Sequence, residues 1–358
     1  MRGSPPGWDA LSGYDQQRAV LAVPASHSAL QLLRGALDEK VPAVLIATRS
    51  HYERIYSRFP WLYTRPVILD SWSELASRRV QQRLREMNAV LVPHGSLVEY
   101  LGWRRLLELE IPLLGNRYLL EIEADQHRKM SLLREAGIET PRTVTRPEEA
   151  TGPVIVKLPG AKGGRGYRLA TPETLPRVLE ELEKLGYTRE EIIVQEYLVG
   201  VRLYTHYFHS PIYGRVEIIG MDTRHESNID GLARLPAALQ QQLATEPTYT
   251  VVANTPIVAR ESLLATIISY GERFAEAVER ETGHPPKGPY SLEGVVLEDL
   301  TYKIFEFSGR IVAGTNVYTG TGTPYTWLYW DKPVYMGRRI AMEFKQAKER
   351  HRLQDITT

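Results

Sequence analysis

Residues Val154–Tyr167 read VIVKLPGAKGGRGY, an apolar strand ending at Lys157 followed by a loop that carries Lys162, Gly163, Gly164 and Gly166. Glycines have no Cβ, so backbone N–H groups in such a loop can approach phosphate oxygens closely. Lys157 and Lys162 offer positive charge to the same phosphates. Far downstream, Glu293 in GPYSLEGVV and Glu306 in YKIFEFSGR lie on strand-like segments. Carboxylates on neighbouring strands suit Mg²⁺, which prefers oxygen ligands and keeps part of its coordination for phosphate. Together these features describe a site for ATP. The loop is not a Walker P-loop, which needs Gly-Lys-Ser/Thr opening a helix. It leads instead into Tyr167-Arg168-Leu169-Ala170, a second strand. Strand, glycine loop and strand predict a hairpin flap over a nucleotide, with an ordinary flexible hairpin as the plainer alternative.

Two further places could hold a ligand. Pro24-Ala25-Ser26-His27-Ser28 and Pro93-His94-Gly95-Ser96 each run from a predicted strand into a predicted helix. Hydroxyls, imidazoles and free helix N–H groups there suit a phosphate monoester. Simple N-capping by Ser28 and Ser96 is the other reading.

The elements that must position these groups follow from the hydrophobic pattern. RAVLAVPAS, VPAVLIAT, PVILD and NAVLVP read as buried strands. Helices are predicted over Ala29–Lys40, near His51–Arg58, over Trp72–Met87 and over Leu97–Glu110, with a short strand at IPLLG. Such alternation predicts a parallel sheet covered on both faces, whose ligands bind at the carboxyl ends of its strands. A boundary is expected near Asn116–Glu123. A helix over Asp125–Ala136, the flap hairpin, a helix over Pro172–Leu185 and the strand EIIVQEYLVG then form a small α+β lid. The remainder is a larger α+β unit with strands at VRLYTHYFH, VEIIGMD, SLEGVVL and YKIFEF and a long helix near Glu261–Glu281. The expected organisation is a Rossmann-like domain over 1–118 on the nucleotide-monophosphate side, a lid over 119–200 and a large catalytic subdomain over 201–358.

A chain of 358 residues has ample material for two or three domains. Its net charge of +1 gives no electrostatic case for nucleic acid or an acidic membrane. No apolar stretch is long enough to span a bilayer, and MRGSPPGWDALSGYDQQ lacks the apolar core of a signal peptide. The absence of cysteine excludes disulfides, thiol catalysis and cysteine-ligated zinc. The expected compartment is the cytoplasm.

The helix DQHRKMSLLREAGIETP, the glycine loop, VQEYLVG and the two late acidic strands resemble the ATP-grasp superfamily. More closely, SHSALQLLRGA, VPHGS, GNR, GGRGY, MDTRHESNIDGLARLP, RESLL and the run from EFSGR to GTN resemble archaeal formate-dependent FAICAR synthetase (formate–phosphoribosylaminoimidazolecarboxamide ligase). The resemblance extends from about Ala19 to about Lys345. HESNIDGLARLP and the HGS turn are specific to that family, whereas the glycine loop is not. The resemblance implies an ATP-grasp fold behind a Rossmann-like domain, and a ligase of purine (IMP) biosynthesis. In that reaction ATP phosphorylates formate to formyl phosphate. The exocyclic amine of AICAR, an aminoimidazole carboxamide ribonucleotide, then attacks it to give FAICAR, ADP and phosphate.

Carried over by position, the resemblance implies that His27, Ser28 and Ser96 contact AICAR, chiefly its phosphate end, and that Asn254 contacts AICAR as well. Lys157, Lys162, Gly163, Gly164 and Gly166 would hold the ATP phosphates. Gln195, Glu196, Tyr197 and Leu198 would line the adenine pocket, and Glu226 would contact the ribose. Glu293 and Glu306 would bind Mg²⁺ or Mn²⁺, and Arg310 would act beside Lys157 on the transferring phosphoryl group. A homo-oligomer, trimer or hexamer, is implied too. Two positions depart from the pattern. Many ATP-grasp proteins carry Lys after the aspartate of the pre-lid helix, whereas Gln126 follows Asp125 here, with Arg128 and Lys129 nearby. Family members carry Gln at the Glu293 position. A ligase paralogue with another carboxylate or amine, or a catalytically silent nucleotide-binding protein, are the alternatives.

Overall fold

The computed structural model describes residues 10–158, 167–243, 245 and 247–358. Four parallel strands open the chain: β1 (Val20–Pro24), β2 (Ala43–Thr48), β3 (Arg65–Leu69) and β4 (Ala89–Leu91), in the order β3-β2-β1-β4. Their apolar runs are continuous because both faces are covered. Leu21, Val23 and Leu45 pack to one side with the helix Ala29–Asp38, while Ala22, Val44 and Ile46 pack to the other with Val80 and Leu84 of the helix Arg78–Glu86.

Some elements differ from expectation. The predicted helix Trp72–Met87 is divided into a 3-10 turn, Trp72–Ala76, and the helix Arg78–Glu86, because Ser77 adopts an extended conformation and caps Val80 N–H at 3.4 Å. The predicted helix Leu97–Glu110 is instead Gly95–Leu101 and Trp103–Leu107, parted at Gly102 where φ is +78°. IPLLG forms no full strand; Leu113 makes one parallel bridge to Leu91 and Leu114 one antiparallel bridge to Thr357. The expected boundary at Asn116–Glu123 is occupied by the helix Arg117–Ala124, capped by the Asn116 side chain.

The lid sheet is antiparallel, in the order β6-β5-β7, from β5 (Val154–Lys157), β6 (Tyr167–Ala170) and β7 (Ile193–Glu196). The helix Leu175–Lys184 covers it through Leu175, Leu179 and Leu182. A five-stranded antiparallel sheet follows, from β8 (Val201–Ser210), β9 (Arg215–Asn228), β10 (Tyr249–Pro256), β11 (Gly288–Val296) and β12 (Tyr302–Ser308), in the order β10-β9-β8-β11-β12. Strand β10 was not foreseen: at the sheet edge, with only Tyr249 buried and Val252 and Ala253 exposed, it lacks a buried-strand pattern. One face of this sheet packs Tyr207, Tyr290, Leu292 and Phe307 with Ile267 and Phe274 of the helix Leu264–Thr282. The other face looks towards the lid.

The final helix, Met336–Glu349, leaves this unit and packs Met336, Ile340 and Phe344 into the core of the parallel sheet. Residues 201–358 thus do not form a self-contained body. The helix meets Ala29–Asp38 closely enough that a Cβ on Gly337 would lie 2.1 Å from the carbonyl oxygen of Gln31. Arg339 anchors its inner face: fully buried, it donates to Glu217 at 2.6 Å and Glu343 at 2.9 Å. Removing one member of such a buried group strands the remaining charge. Among the described residues no helix is long and apolar enough to cross a membrane.

Candidate active site

Between the lid sheet and the five-stranded sheet lies a cleft of about 720 Å³. Strand alternation builds its floor. On β8 and β9, residues two apart share a face, so Arg202 and Tyr204 lie beside Arg224 and Glu226, and all four line the cleft. Glu293 faces Tyr204 across β8 and β11 and pairs with Glu306 across β11 and β12. The lid contributes Lys157, Tyr167 and the run Gln195–Leu198. Seven of the residues implied for ATP and metal, Lys157, Gln195, Glu196, Tyr197, Leu198, Glu226 and Glu293, thus line one space. Lys162, Gly163, Gly164 and Gly166 lie outside the described residues.

Each charged group in the cleft has a specific setting. Lys157 is buried, donates to the Phe305 carbonyl at 2.8 Å and lies 5.0 Å over the Phe305 ring. Desolvation pulls its pKa down to about 8, resisted by Glu306 and reinforced by Lys129. Burial pushes Glu293 upward, but its ion pair with Arg224 at 2.6 Å prevails and leaves it below the ordinary carboxylate value. Glu226 is shifted upward by burial, with its partner Arg202 acting in the other direction. Glu306 pairs with Lys129, which is 1% exposed. Gln195 is fully buried; its amide nitrogen reaches Met130 Sδ at 3.1 Å, and its Oε1 has no partner among the described residues. The Glu196 carboxylate accepts from Lys303 at 2.6 Å and from Arg142 N–H at 3.0 Å, so its side chain ties the end of β7 to β12.

The helix after Asp125 places its cations differently from one another. Gln126 is buried, Arg128 pairs with Glu121 and Glu281 at the surface, and Lys129 reaches Glu306. Of the cations on this helix, Lys129 is thus the one that reaches a carboxylate proposed for the metal. Arg202, Tyr204, Arg224 and Tyr249 were not singled out from the sequence. The first three could have been found by counting in twos from Glu226 and across to β8, since charges in an otherwise buried strand need partners.

The two strand-to-helix turns meet at the edge of the parallel sheet. Ser26 donates to Ser96 Oγ at 2.5 Å, and the His27 and His94 rings lie 5.2 Å apart. Capping by serine is not what holds these helices. Ser28 makes no capping hydrogen bond; its buried hydroxyl is 2.6 Å from His27 Nδ1 and orients that ring. The second helix is capped by His94, whose Nδ1 accepts from Leu97 N–H at 3.2 Å. His94 Nε2 must then carry the proton, donating to the Pro24 carbonyl at 3.0 Å. Burial lowers the His94 pKa to about 4, with Arg310 adding to the effect, so the ring is neutral. The His27 side chain reaches the surface, yet crowding at the turn counts against its charged form: desolvation and then His94, Arg310 and Arg224 lower its pKa.

The segment after β12 joins the two halves. Glu306 lies on β12, and a few residues later Ile311 makes a parallel bridge to His94. Between them Arg310 donates to Glu123 at 2.6 Å, while its buried Nε has no partner among the described residues. Its charge acts on His27 and His94 on one side and on Glu293 on the other. Asn254 lies opposite Arg224 on β10 and donates to Asp222 at 2.6 Å. Among the described residues there is no cluster of three or more His, Asp or Glu side chains suited to a metal. The adjacent Glu293 and Glu306 fit a cation that takes its remaining ligands from phosphate and water.

A family model described as "Domain of unknown function (DUF1297)" matches residues 179–358, and one described as "Protein of unknown function (DUF1246)" matches residues 21–144. The chain is 48% identical over 349 residues to a 5-formaminoimidazole-4-carboxamide-1-(beta)-D-ribofuranosyl 5'-monophosphate synthetase of Ignicoccus hospitalis, covering 97% of this chain and 98% of the relative. The crystal structure of an IMP biosynthesis protein PurP from Thermococcus kodakaraensis superposes with a TM-score of 0.76 at 29% identity, covering 95% of this chain and all of the other. An ADP complex of N5-carboxyaminoimidazole ribonucleotide synthetase shares the fold at a TM-score of 0.59 and 15% identity, over 84% of this chain and 72% of that one.

Proposed function

We propose an activity for this chain, which is an ATP-grasp ligase and belongs to the family of 5-formaminoimidazole-4-carboxamide-1-(beta)-D-ribofuranosyl 5'-monophosphate synthetases: the ATP-driven joining of formate to the amine of AICAR, giving FAICAR, ADP and phosphate. ATP occupies the cleft. Its adenine lies against Gln195–Leu198, where the unpartnered Oε1 of Gln195 suits an exocyclic amine. Its ribose lies near Glu226 and its phosphates over Lys157 towards Glu306. The phosphate end of AICAR lies at the joined turns of His27 and Ser96, with Ser28 fixing the His27 ring, and Asn254 faces its base. Glu293 and Glu306 would hold Mg²⁺ or Mn²⁺, which when bound neutralises phosphate oxygens.

A formate oxygen attacks the terminal phosphorus and ADP leaves. The AICAR amine then attacks the formyl carbon, and phosphate departs carrying one formate oxygen. Neither step uses a protein nucleophile. The chain positions the reactants and supplies fixed positive charge: Lys157 from the lid strand, Arg310 from the joint between the halves. The observation that carries this reading is the short run from Glu306 through Arg310 to Ile311, which links the ATP cleft to the His94 turn. A trimer or hexamer of such chains accompanies the proposal. The test is ADP and FAICAR formation by the purified chain with ATP, Mg²⁺, formate and AICAR, each omitted in turn. FAICAR that depends on all of them supports the reading. ADP release indifferent to formate and AICAR contradicts it.

A further inference from the structure

The cleft face of the five-stranded sheet carries a line of polar side chains that the steps above do not use. Ser291 on β11, His206 on β8 and Asp222 on β9 are each at most 1% exposed. His206 Nδ1 lies 2.8 Å from Ser291 Oγ, and its Nε2 lies 2.8 Å from Asp222 Oδ1. Asp222 Oδ2 accepts from Asn254 Nδ2 at 2.6 Å. Strand register places Ser291 directly opposite His206. Serine, histidine and aspartate recur as a hydrolytic triad, but Ser291 is closed off from any substrate here, so nucleophilic chemistry does not apply.

The line ends beside the His27 turn. The 3-10 turn Ala313–Tyr318 covers Asp222 so closely that a Cβ on Gly314 would lie 2.3 Å from Asp222 Oδ1. Two residues on, Asn316 donates to the His27 carbonyl at 2.6 Å. One short turn thus holds Asp222 and His27, and Asn254 joins them through Asp222.

A carboxylate only accepts hydrogen bonds. The amide nitrogen of Asn254 must therefore face Asp222, which leaves its Oδ1 turned away, with no hydrogen-bond partner among the described residues. We propose that Asp222, itself anchored by His206 and Ser291, locks the Asn254 amide so that an acceptor faces the nucleotide, and the site thereby demands an N–H donor on the base. Asp222 and His206 are positioning residues, and Asn254 reads the amine or amide of the ligand. This rests on AICAR being the nucleotide. It goes further in saying what sets the sense of recognition: an amide at position 222 could donate as well as accept, and Asn254 would be free to turn.

Calorimetric titration with AICAR and separately with ATP, on wild type, Asp222→Asn, Asn254→Ala and the double variant, tests this. Asp222→Asn should weaken AICAR about tenfold and leave ATP within about twofold. In the Asn254→Ala background, Asp222→Asn should add less than about twofold, because the two act as one unit. If Asp222→Asn does not fold, His206→Gln and His206→Leu carry the same test. Glutamine can replace the donor to Asp222 and should keep AICAR affinity, whereas leucine should lose about tenfold. Equal losses from both, or penalties that add in the double variant while wild type binds AICAR, overturn the positioning role alone. A wild type that binds no AICAR overturns both this role and the proposed function.

Discussion

In the cleft Glu226 and Glu293, and beside it Glu306, each have a cation at hand, Arg202, Arg224 and Lys129 respectively. At the β1 and β4 turns the polar groups are neutral and bonded to one another, Ser26 to Ser96 and Ser28 to His27, with His94 uncharged between backbone partners. In the proposed reaction the cleft would receive a triphosphate and a metal, so charge would be redistributed as ligands arrive. Each carboxylate there is matched by a neighbouring cation, so none of the three stands as a lone charge in a dry site. The turns would receive a phosphate monoester, for which fixed hydroxyls, rings and the nearby Arg310 are suited. Losing one group should therefore cost far more in the cleft, where it strands a charge, than at the turns, where it removes a hydrogen bond.

The steepest loss is expected for Glu306→Gln. It removes a proposed metal ligand and leaves buried Lys129 without its counter-ion, so ADP formation should fall at least about a hundredfold. Retention of the wild-type melting transition would assign the loss to chemistry. Turnover unchanged at limiting Mg²⁺ would remove Glu306 from the metal site.

Next comes Lys157. Its pKa of about 8 in the free protein means the ammonium is lost as pH rises through that value. The kcat/KM for ATP should therefore decline above pH 8, since that ratio reports the free enzyme. Lys157→Arg, which stays charged, should lose some activity at pH 7 but flatten the alkaline limb. A limb of the same position in the arginine variant would assign it to another group.

A smaller and more diagnostic effect is expected at the Arg224–Glu293 pair. Arg224→Met should cost about tenfold in kcat/KM for ATP by stranding Glu293. Glu293→Gln alone should be the exception and mild, because the resembled family carries Gln at this position and Arg224 keeps its place 4.3 Å over the Tyr204 ring; combined with Arg224→Met it should recover most of the loss. Additive losses would mean the pair is not a unit.

The least severe changes belong to the turns. His27→Ala and Ser96→Ala should each raise the KM for AICAR by about tenfold or less, with that for ATP unchanged. If calorimetry shows ATP losing affinity instead, the two halves of the site have been assigned in reverse.

The parallel sheet was legible because strands buried on both faces must be apolar throughout, as in Val20–Pro24 and Ala43–Thr48. Lys157, Gln195–Leu198 and Glu293 were legible through motifs, and the fold brings them to one cleft. What escaped were features without local signature. Arg224 and Arg202 are ordinary residues until strand pairing sets them beside Glu293 and Glu226. The half-exposed edge strand β10 lacks a core pattern. The packing of Met336–Glu349 on Ala29–Asp38 depends on two distant glycines, Gly35 and Gly337, which no local pattern links. The cap on the second turn was misjudged because imidazole Nδ1 of His94 takes the place that serine usually fills.

The most direct test of the account follows oxygen. In a single turnover with ATP, Mg²⁺, AICAR and formate labelled with heavy oxygen at both positions, the mass of the released phosphate is measured. Transfer of the terminal phosphoryl group to formate, with later expulsion by the AICAR amine, predicts phosphate carrying one formate oxygen for each FAICAR formed. Unlabelled phosphate alongside FAICAR would contradict it.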